Sequence, residues 1–372
     1  MGMRYCTKCV LPDTKPGLTF DKEGVCSACR FAEIKKSINW KERTDNLIDI
    51  CNRAKGLNKE YDCIVPVSGG KDSMFQVYYM KHVMKMKVLC ISAMAHIQTF
   101  EGISNLNSMV RNFEVDLQQI NVSPKILKKL RNICFFDLGN PNYAEHRIVY
   151  SAITRAAVEY EIPLVVWGED IGVEFGGHID NDSLKSGSAN SIINNDLFRE
   201  SSFEKLLGDE ITSDEVYFYK YPAIEEFKDK NIESIYLSHF LHWDGYKNFQ
   251  KAKEFGFIDR IEGPLSGNVL SYDNIDEKLC EVNIWLKFLK LGFWRPHDAC
   301  AYQIWNGRMT REQAVEIVNE KMYQFPHEYV REFLEYHNIT EEQFTNNLEK
   351  WRNLDIWTKN DSGHWIVKTP LV

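Results

Sequence analysis

The sequence predicts an α/β protein: a twisted parallel sheet with helices on both faces, preceded by a small four-cysteine knuckle and followed by a mainly helical region. Between residues 61 and 240, apolar runs of strand length alternate with helical segments. Two Cys-x-x-Cys pairs stand near the N-terminus, and helical patterning dominates beyond residue 276. We therefore divide the chain into a knuckle (1–36), an α/β unit (37–245) and a helical region (246–372).

Composition limits the classes of function. With 372 residues, of which 44% are hydrophobic and 26% charged, the chain can bury a large core. A net charge of −8 gives no long-range attraction to a nucleic-acid backbone, so we expect no nucleic-acid partner. Spanning a bilayer takes ~20 consecutive apolar residues, and no stretch approaches that length. We expect a cytoplasmic protein without a membrane partner.

The N-terminal cysteines have the spacing of a metal site. Cys6 and Cys9 form one pair, Cys26 and Cys29 the other, with 16 residues between the pairs. This spacing is typical of a tetrahedral Cys₄ zinc site, and four thiolates leave no open position for a reacting water. We predict structural Zn²⁺. Disulfides, a redox role and an iron–sulfur cluster are the alternatives.

The elements of the α/β unit follow in order after a connecting helix predicted at 40–54. Strands are predicted at 63–67, 87–93, 115–122, 163–167 and 234–240. The helices between the first four strands are predicted at 74–84, 103–112, 124–133 and 143–159. Ligands of such sheets bind at the carboxyl ends of the strands. Residues directly after each strand are therefore the first candidates for a functional site.

Residues 68–73, Ser-Gly-Gly-Lys-Asp-Ser, follow the first strand and precede a helix. Gly69 and Gly70 can adopt positive φ and carry no Cβ, so backbone N–H groups can turn around an anion. The helix N-terminus points its positive end at the same place. We predict a phosphate cradle, although its spacing is not that of a P-loop. The alternative is an ordinary glycine-rich turn.

Acidic residues follow another strand. Glu169 and Asp170 come after Gly168 at the end of the fourth predicted strand. If the sheet order brings this end beside the cradle, Glu169 and Asp170 could hold Mg²⁺ together with Asp72. Surface acids in a loop are the alternative.

Three further side chains are candidates for substrate binding. His96 follows the second strand, His239 lies in the fifth, and Arg147 opens a predicted helix facing the same end of the sheet. A structural histidine or a solvated arginine is the alternative for each.

Residues 171–215 are rich in Gly, Asn, Ser and Asp and show little periodicity. This insertion is too long for an ordinary connection, which favours a substrate loop or lid over a disordered surface segment. The region beyond it is predicted to be mainly structural: one helical stripe carries Leu279, Val282, Leu286 and Leu289, and two capping boxes begin at Thr310 and Thr340.

Several motifs together resemble a known family. The cradle resembles the PP-loop of the ATP pyrophosphatases, and the whole set is similar to the N-acetyl sugar amidotransferases of bacterial surface-polysaccharide and flagellin-glycan synthesis, including the pseudaminic and legionaminic acid pathways. The motifs are Cys6-Thr-Lys-Cys-Val-Leu-Pro-Asp-Thr-Lys-Pro-Gly17, Gly24-Val-Cys-Ser-Ala-Cys29, Tyr61-Asp-Cys-Ile-Val-Pro-Val-Ser-Gly-Gly-Lys-Asp-Ser73, Trp167-Gly-Glu-Asp170, Glu174-Phe-Gly-Gly177 and Asn306-Gly-Arg-Met-Thr-Arg311.

The resemblance implies an AMP- and pyrophosphate-forming ligase that converts a sugar acetamido group to an acetamidino group through an adenylylated imidate. It implies ATP and Mg²⁺ as cofactors, an N-acetylated sugar or nucleotide sugar as substrate, and ammonia from a separate glutaminase subunit. No solitary cysteine lies in a Gly-x-Cys-x-Gly turn, in agreement with an external ammonia source.

The expected site residues fall into three groups. Catalysis is expected from Lys71, Asp72 and Glu169, with magnesium held by Asp72 and Glu169. ATP is expected to contact Val67, Ser68, Gly69, Gly70, Lys71, Asp72, Ser73, Ser92 and Gly168. The sugar is expected to contact His96, Arg147, Glu174, Gly176, Gly177 and His239.

Two other functions compete with this one. Some PP-loop enzymes that thiolate tRNA carry N-terminal Cys-x-x-Cys pairs, so a tRNA thiolase with an N-terminal zinc finger is the main alternative. The acidic charge and the absence of a second downstream Cys-x-x-Cys disfavour it. A nucleotide-sensing scaffold that binds ATP without cleaving it is the other alternative.

Overall fold

A five-stranded parallel sheet forms the centre of the α/β unit. The computed structural model describes residues 2–93, 97–178, 181–194, 200–208 and 211–372. The strands are β1 (Cys63–Pro66), β2 (Val88–Ala93), β3 (Asp116–Ile120), β4 (Leu164–Trp167) and β5 (Glu233–Tyr236). Their order is β3-β2-β1-β4-β5, and every neighbouring pair is parallel. The predicted fold class is confirmed.

This order places a topological switch at the centre of the sheet. The chain runs outward in one direction from β1 to β3 and then returns to the other side of β1 as β4. In open α/β sheets, the crevice at such a switch is the usual ligand site. The loops after β1 and β4, which carry residues 68–70 and 168–170, therefore lie side by side.

Helices cover the sheet and build the C-terminal region. Up to the insertion they are α1 (Ser27–Lys35), α2 (Trp40–Gly56), α3 (Lys71–Tyr78), α4 (Phe100–Phe113), α5 (Pro124–Ile133) and α6 (Tyr143–Glu159), with π-helical turns at Tyr79–Val83 and Cys134–Leu138. The insertion and the end of the α/β unit contain α7 (Ile171–Phe175), α8 (Asn181–Ser186), α9 (Ser191–Asn194), α10 (Glu200–Leu207), a 3₁₀ turn (Asp214–Tyr219), α11 (Ile224–Asp229) and α12 (Leu237–Phe240). The C-terminal elements are α13 (Gly245–Glu254), α14 (Cys280–Leu291), α15 (Arg295–Trp305), α16 (Arg311–Lys321), α17 (Val330–His337), α18 (Glu341–Lys350) and a β6–β7 hairpin (Trp357–Lys359, Trp365–Val367).

Alternating residues of the central strands belong to two separate apolar layers, one on each face of the sheet. Cys63 and Val65 of β1 pack with α2, α3 and α4 on one face, and Ile64 packs with α5 and α6 on the other. Successive side chains of a strand point to opposite faces, so a strand buried on both sides is apolar throughout. Helices on both faces were predicted, and the structure shows them.

One predicted strand was wrong in its extent. The fifth strand, predicted at 234–240, ends at Tyr236, because residues 237–240 turn into the short helix α12 and Ser238 N bonds to the Gly168 carbonyl. The insertion was predicted to be a substrate loop or lid, and its described residues form α7 to α10. Its role in substrate binding stays a prediction.

The knuckle and the C-terminal helices share a third core. The four cysteines and Leu11 belong to the same apolar cluster as the predicted stripe of α14 and as Phe333. Thr14 Oγ1 donates a hydrogen bond to the Leu291 carbonyl at 2.5 Å, and Trp305 Nε1 donates one to Cys29 Sγ at 3.2 Å. The knuckle is therefore anchored on α14 and α15.

A short segment of the C-terminal region crosses to the sheet. Residues 97–99 and 275–278 are joined by hydrogen bonds. Lys278 N donates to the Ile97 carbonyl at 3.0 Å, and Thr99 Oγ1 donates to the Ile275 carbonyl. Thr99 also caps α4 by accepting the Gly102 N–H at 2.9 Å. This cross-connection brings residues 273–276 to the carboxyl end of the sheet.

Among the described helices, none combines the length and apolar character needed to cross a membrane.

Candidate functional site

The loop after β1 forms a tight turn that is ready to receive an anion. Ser73 Oγ donates to the Gly70 carbonyl at 2.9 Å, and Gly70 N donates to Ser68 Oγ at 3.3 Å. Helix α3 begins at Lys71 directly after the turn. Its first-turn N–H groups have no acceptor within the helix, and their partial positive charge favours a phosphate at this point.

Gly69 is required by the packing of this loop. Its φ is +95°, and a Cβ at this position would lie 2.4 Å from the Gly102 carbonyl oxygen. Gly102 is also closely packed, because a Cβ added at this position would lie 2.6 Å from Asp276 Cα. No side chain fits at either position, and so the cradle, the start of α4 and the 273–276 segment are held in direct backbone contact.

A cavity of about 580 Å³ opens beside this turn, at the carboxyl ends of β1 and β4. Its walls come from the cradle, from α6, from the loop after β4, from residues 270–276 and from α14 and α15. Of the residues expected to bind ATP, it is lined by Val67, Ser68, Gly70, Lys71, Asp72, Ser73 and Gly168. This size and this position are typical of a small-molecule site.

Lys71, the first residue of α3, places an ammonium group beside the cradle. Its Nζ lies 2.8 Å from Asp72 Oδ2 and 3.7 Å from Asp273 Oδ1. Burial alone would lower the pKa of Lys71, but the two carboxylates outweigh burial and raise it. The ammonium is therefore charged at neutral pH. Asn248 Nδ2 donates to the other Asp72 oxygen at 2.8 Å, which fixes that carboxylate.

Glu169 lines the same cavity and is electrostatically coupled to Asp72. Burial and repulsion from Asp72 raise the pKa of Glu169 to about 7, and attraction to Lys71 offsets part of that rise. Repulsion between two neighbouring carboxylates is relieved when they bind a divalent cation together. The pair therefore fits the predicted magnesium ligands in residue type and in position.

Asp170, the neighbour of Glu169, has a structural role. Its Oδ1 accepts the N–H groups of Gly172 and Val173 at 2.9 and 3.3 Å, so it caps α7. Ser183 also donates to this carboxylate.

Arg147 is not where the sequence placed it. We expected it to face the ligand side of α6, yet its side chain is fully buried, with Nε bonded to the Tyr219 carbonyl at 2.5 Å and the guanidinium over Phe203. Val149, Tyr150 and Ile153 of the same helix line the cavity instead. The difference is one of helical rotation, since Arg147 lies on the side of α6 that packs on the 3₁₀ turn.

The other expected sugar-binding residues that the structure describes do not line this cavity. Glu174 forms an ion pair with Lys35 at 2.5 Å, and burial raises the pKa of this carboxyl to about 7. Gly176 has φ +71°, and a Cβ there would lie 2.4 Å from Ala28 Cβ of the knuckle. Gly177 approaches Gly17 in the same contact. These residues hold the insertion against the knuckle, and their expected contact with substrate stays a prediction.

His239 and Ser92 also differ from expectation. His239 packs beside Gly187, and burial together with Arg43 lowers its pKa to about 4. Ser92 is buried within β2, on the strand side opposite to the cavity-lining Ile91 and Ala93. His96 lies outside the described residues.

Several polar residues that line the cavity were not predicted from the sequence. Asp273 and Asp276 come from the cross-connection, and Ser68 donates a hydrogen bond to Asp276. Lys15, Lys287, Arg295 and Asp298 come from the knuckle and from α14 and α15. These residues follow no strand end, so the rule that selected Glu169 could not find them.

The four N-terminal cysteines converge as predicted. Their sulfur atoms lie within 4.8 Å of one another, and all four are buried and unoxidised. Backbone N–H groups of Lys8 and Cys26 donate to Cys6 Sγ at 3.3 and 3.2 Å. Such N–H···S bonds stabilise thiolates around a metal. The donor set could hold a tetrahedral metal ion such as zinc.

Comparison with known proteins gives the following. Residues 243–370 match the family model of the LPS biosynthesis protein WbpG-like C-terminal domain. This agrees with the surface-polysaccharide family that the sequence motifs resemble. An uncharacterized protein of Methanocaldococcus jannaschii, MJ1599, is 26% identical over 117 residues, which are 31% of this chain and 42% of that protein. The alignment thus spans less than half of that relative.

Two solved structures are distantly similar. The U34-tRNA thiolase NcsA from Methanococcus maripaludis, with its [4Fe-4S] cluster, has a TM-score of 0.34 and 17% identity, covering 83% of this chain and 88% of that one. The NH3-dependent NAD synthetase from Campylobacter jejuni has a TM-score of 0.29 and 13% identity, covering 60% of this chain and 99% of that one.

The cysteine cluster gives a testable prediction. The purified protein should contain one zinc per chain by elemental analysis, and Cys9→Ser should lose it because three thiolates bind the ion far more weakly than four. Cys51→Ser, which changes a buried cysteine away from the cluster, is the matched control and should keep the metal. Iron with visible charge-transfer absorption, or a metal content that does not respond to Cys9→Ser, would contradict a zinc site.

Proposed function

Because residues 243–370 resemble a WbpG-like domain of LPS biosynthesis, we propose that this chain is an ATP-dependent amidotransferase of bacterial surface-glycan or flagellin-glycan synthesis. It would convert the acetamido group of an N-acetylated sugar into an acetamidino group, with formation of AMP and pyrophosphate. The single observation that carries this proposal is the cradle at residues 68–73 with charged Lys71, at the central switch of the sheet and open to a ligand-sized cavity.

The cradle accounts for the position of ATP. Backbone N–H groups at the start of α3 and the Lys71 ammonium would bind the β- and γ-phosphates, which leave together as pyrophosphate. The α-phosphorus would then face the rest of the cavity, where the second substrate has room. Asp72 and Glu169 would hold Mg²⁺, which supplies charge neutralisation to the phosphates when bound.

The second substrate needs this activation because an amide carbonyl is a poor electrophile. Its oxygen attacks the α-phosphorus, the bond to the bridging oxygen breaks, and pyrophosphate leaves with that electron pair. The resulting O-adenylyl imidate is attacked at carbon by ammonia. The C–O bond then breaks and AMP leaves as its dianion with the former amide oxygen. The amide nitrogen has lost its proton as the imidate formed, and the three hydrogens of ammonia stay on the two nitrogens of the acetamidinium product. The scheme requires orientation and charge stabilisation but no protein nucleophile.

The state of the cysteines supports an external ammonia source. A glutaminase thiol must be accessible and partly ionised. The six cysteines outside the cluster are all buried, and burial raises the pKa of Cys90, Cys134 and Cys300 to about 12. Ammonia would therefore come from a separate glutaminase subunit. The burial of Cys134 and of the other solitary cysteines likewise disfavours the tRNA thiolase alternative, because a sulfur-transfer mechanism needs a reactive thiol.

The activity can be tested with ATP, Mg²⁺, ammonium and a panel of free and nucleotide-linked N-acetyl sugars. Mass spectrometry should show oxygen replaced by NH in one sugar, with equal amounts of AMP and pyrophosphate. Lys71→Ala should lower the rate at least ~100-fold, because it removes a charge that stabilises the leaving pyrophosphate.

The matched control for this variant is Lys41→Ala, which removes an 84% exposed lysine and should keep the wild-type rate. Circular dichroism should show both variants folded. Formation of ADP, sulfur incorporation into tRNA, or full activity in Lys71→Ala would contradict the proposal.

The raised pKa of Glu169 predicts a pH dependence. Mg²⁺ binding requires the ionised carboxylate, and a carboxyl with a pKa of about 7 is mostly protonated at pH 6 and mostly ionised at pH 8. Calorimetric titration of Mg²⁺ into the nucleotide-free protein should thus show affinity rising by up to ~tenfold between these pH values, with proton release near pH 7.

Glu169→Gln should weaken Mg²⁺ binding and abolish its pH dependence. Glu174→Gln is the matched control, since Glu174 has a similarly raised pKa but pairs with Lys35 away from the cavity. If both variants change the pH profile equally, or if neither does, Glu169 is not the titrating ligand.

A further inference from the structure

Three cationic side chains line the cavity on walls that do not include the cradle. They are Lys15 of the knuckle, Lys287 of α14 and Arg295 at the start of α15, and they are grouped with Asp298. We refer to Lys15, Lys287 and Arg295 as the cation cluster. Its residues are remote from the cradle in sequence and come from three separate segments.

Contacts fix the two lysines of the cluster in place. Lys15 Nζ and Lys287 Nζ each donate to a different oxygen of Asp298, at 2.7 and 2.6 Å. Both ammonium groups also lie over the ring of Phe293, at 5.2 and 4.6 Å from its centre. Lys15 is held at the cavity because the knuckle is anchored on α14. The neighbouring residue, Thr14, donates a hydrogen bond to the Leu291 carbonyl.

Burial, together with repulsion by the other two cations of the cluster, outweighs the attraction of Lys287 to the carboxylate of Asp298. Asp298 is shared by two ammonium groups, each of which has three N–H donors. Arg295 is attracted by Glu281 and by Asp273, and Asp273 also faces Lys71. Arg295 Nε is buried without a hydrogen-bond partner among the described residues. Repulsion from Lys15 and Arg295 adds to burial in lowering the pKa of Lys287, although Asp298 opposes it. An anion at this place would relieve this repulsion.

We infer that the cation cluster is a subsite for an anionic group of the sugar substrate, either the carboxylate of an acidic N-acetyl sugar or the phosphate of a nucleotide-linked one. This inference rests on the proposed function. It is favoured over a second ATP contact because Lys287, Arg295 and Asp298 all lie in the residues that match the glycan-biosynthesis domain, whereas the cradle does not. The subsite would orient the sugar so that its acetamido group faces the α-phosphorus.

Equilibrium binding tests the subsite without turnover. The full chain is saturated with Mg²⁺ and α,β-methylene-ATP, which occupies the cradle. It is then titrated with N-acetylneuraminate, UDP-N-acetylglucosamine and neutral N-acetylglucosamine. At least one anionic probe should bind about tenfold more tightly than the neutral sugar, and the preferred probe identifies carboxylate or phosphate.

Substitutions assign this preference to the cluster. Lys287→Met should remove the preference, whereas Lys287→Arg should keep most of it. Lys278→Met, which changes a lysine that pairs with Glu332 outside the cavity, is the matched control and should leave it unchanged. Affinity for α,β-methylene-ATP should stay within about twofold in all three variants.

Several results would overturn the subsite. They are equal binding of the neutral and anionic probes, no binding of either anionic probe at millimolar concentration, an undiminished preference in Lys287→Met, or weaker binding of α,β-methylene-ATP in that variant. None of these results bears on whether the wild type forms AMP, so failure of the subsite and failure of the proposed function are separable.

Discussion

The site depends on backbone contacts that leave no room for a side chain. Gly69 rests on the Gly102 carbonyl, and Gly102 rests on Asp276. The first contact fixes the turn that is proposed to bind phosphate, and the second joins the C-terminal region to the carboxyl end of the sheet. Through this stack, one cavity is built from a phosphate cradle on the sheet and from polar side chains of the C-terminal helices. A methyl group at either glycine would separate them.

The cavity has two regions that differ in the charge of their lining side chains. On the cradle side, the carboxyls of Asp72 and Glu169 repel each other and are only partly compensated by Lys71. That region is suited to a divalent cation bound together with phosphates. On the other side, two lysines share Asp298. The cysteine knuckle contributes to this second region because it carries Lys15 and is anchored on α14 and α15. Its proposed metal would thus support substrate binding without taking part in the reaction.

Local patterns in the sequence were sufficient to predict the first four strands and the strand–turn–helix arrangement around residues 68–73. The helices at 124–133 and 143–159 were predicted to the residue, and β1 to β4 to within two residues, because periodicity and caps are local properties. The adjacency of β1 and β4 made Glu169 and Lys71 neighbours in one cavity. The prediction that Arg147 faces the ligand was wrong. The sequence predicted the position of Arg147 along α6, but the rotation of that helix about its axis depends on tertiary packing. Asp276 and Lys287 were missed because only the cross-connection and the C-terminal core bring them to the cavity.

Transfer of the amide oxygen to AMP is the most direct test of the central claim. The sugar substrate is prepared with ¹⁸O in its acetamido carbonyl and is turned over with ATP, Mg²⁺ and ammonium. If the amide oxygen attacks the α-phosphorus held beside Lys71, the label must appear in the α-phosphate of AMP, with none in pyrophosphate. Unlabelled AMP accompanied by labelled pyrophosphate or labelled water would show that the α-phosphorus is not the point of attack, and the account would be wrong.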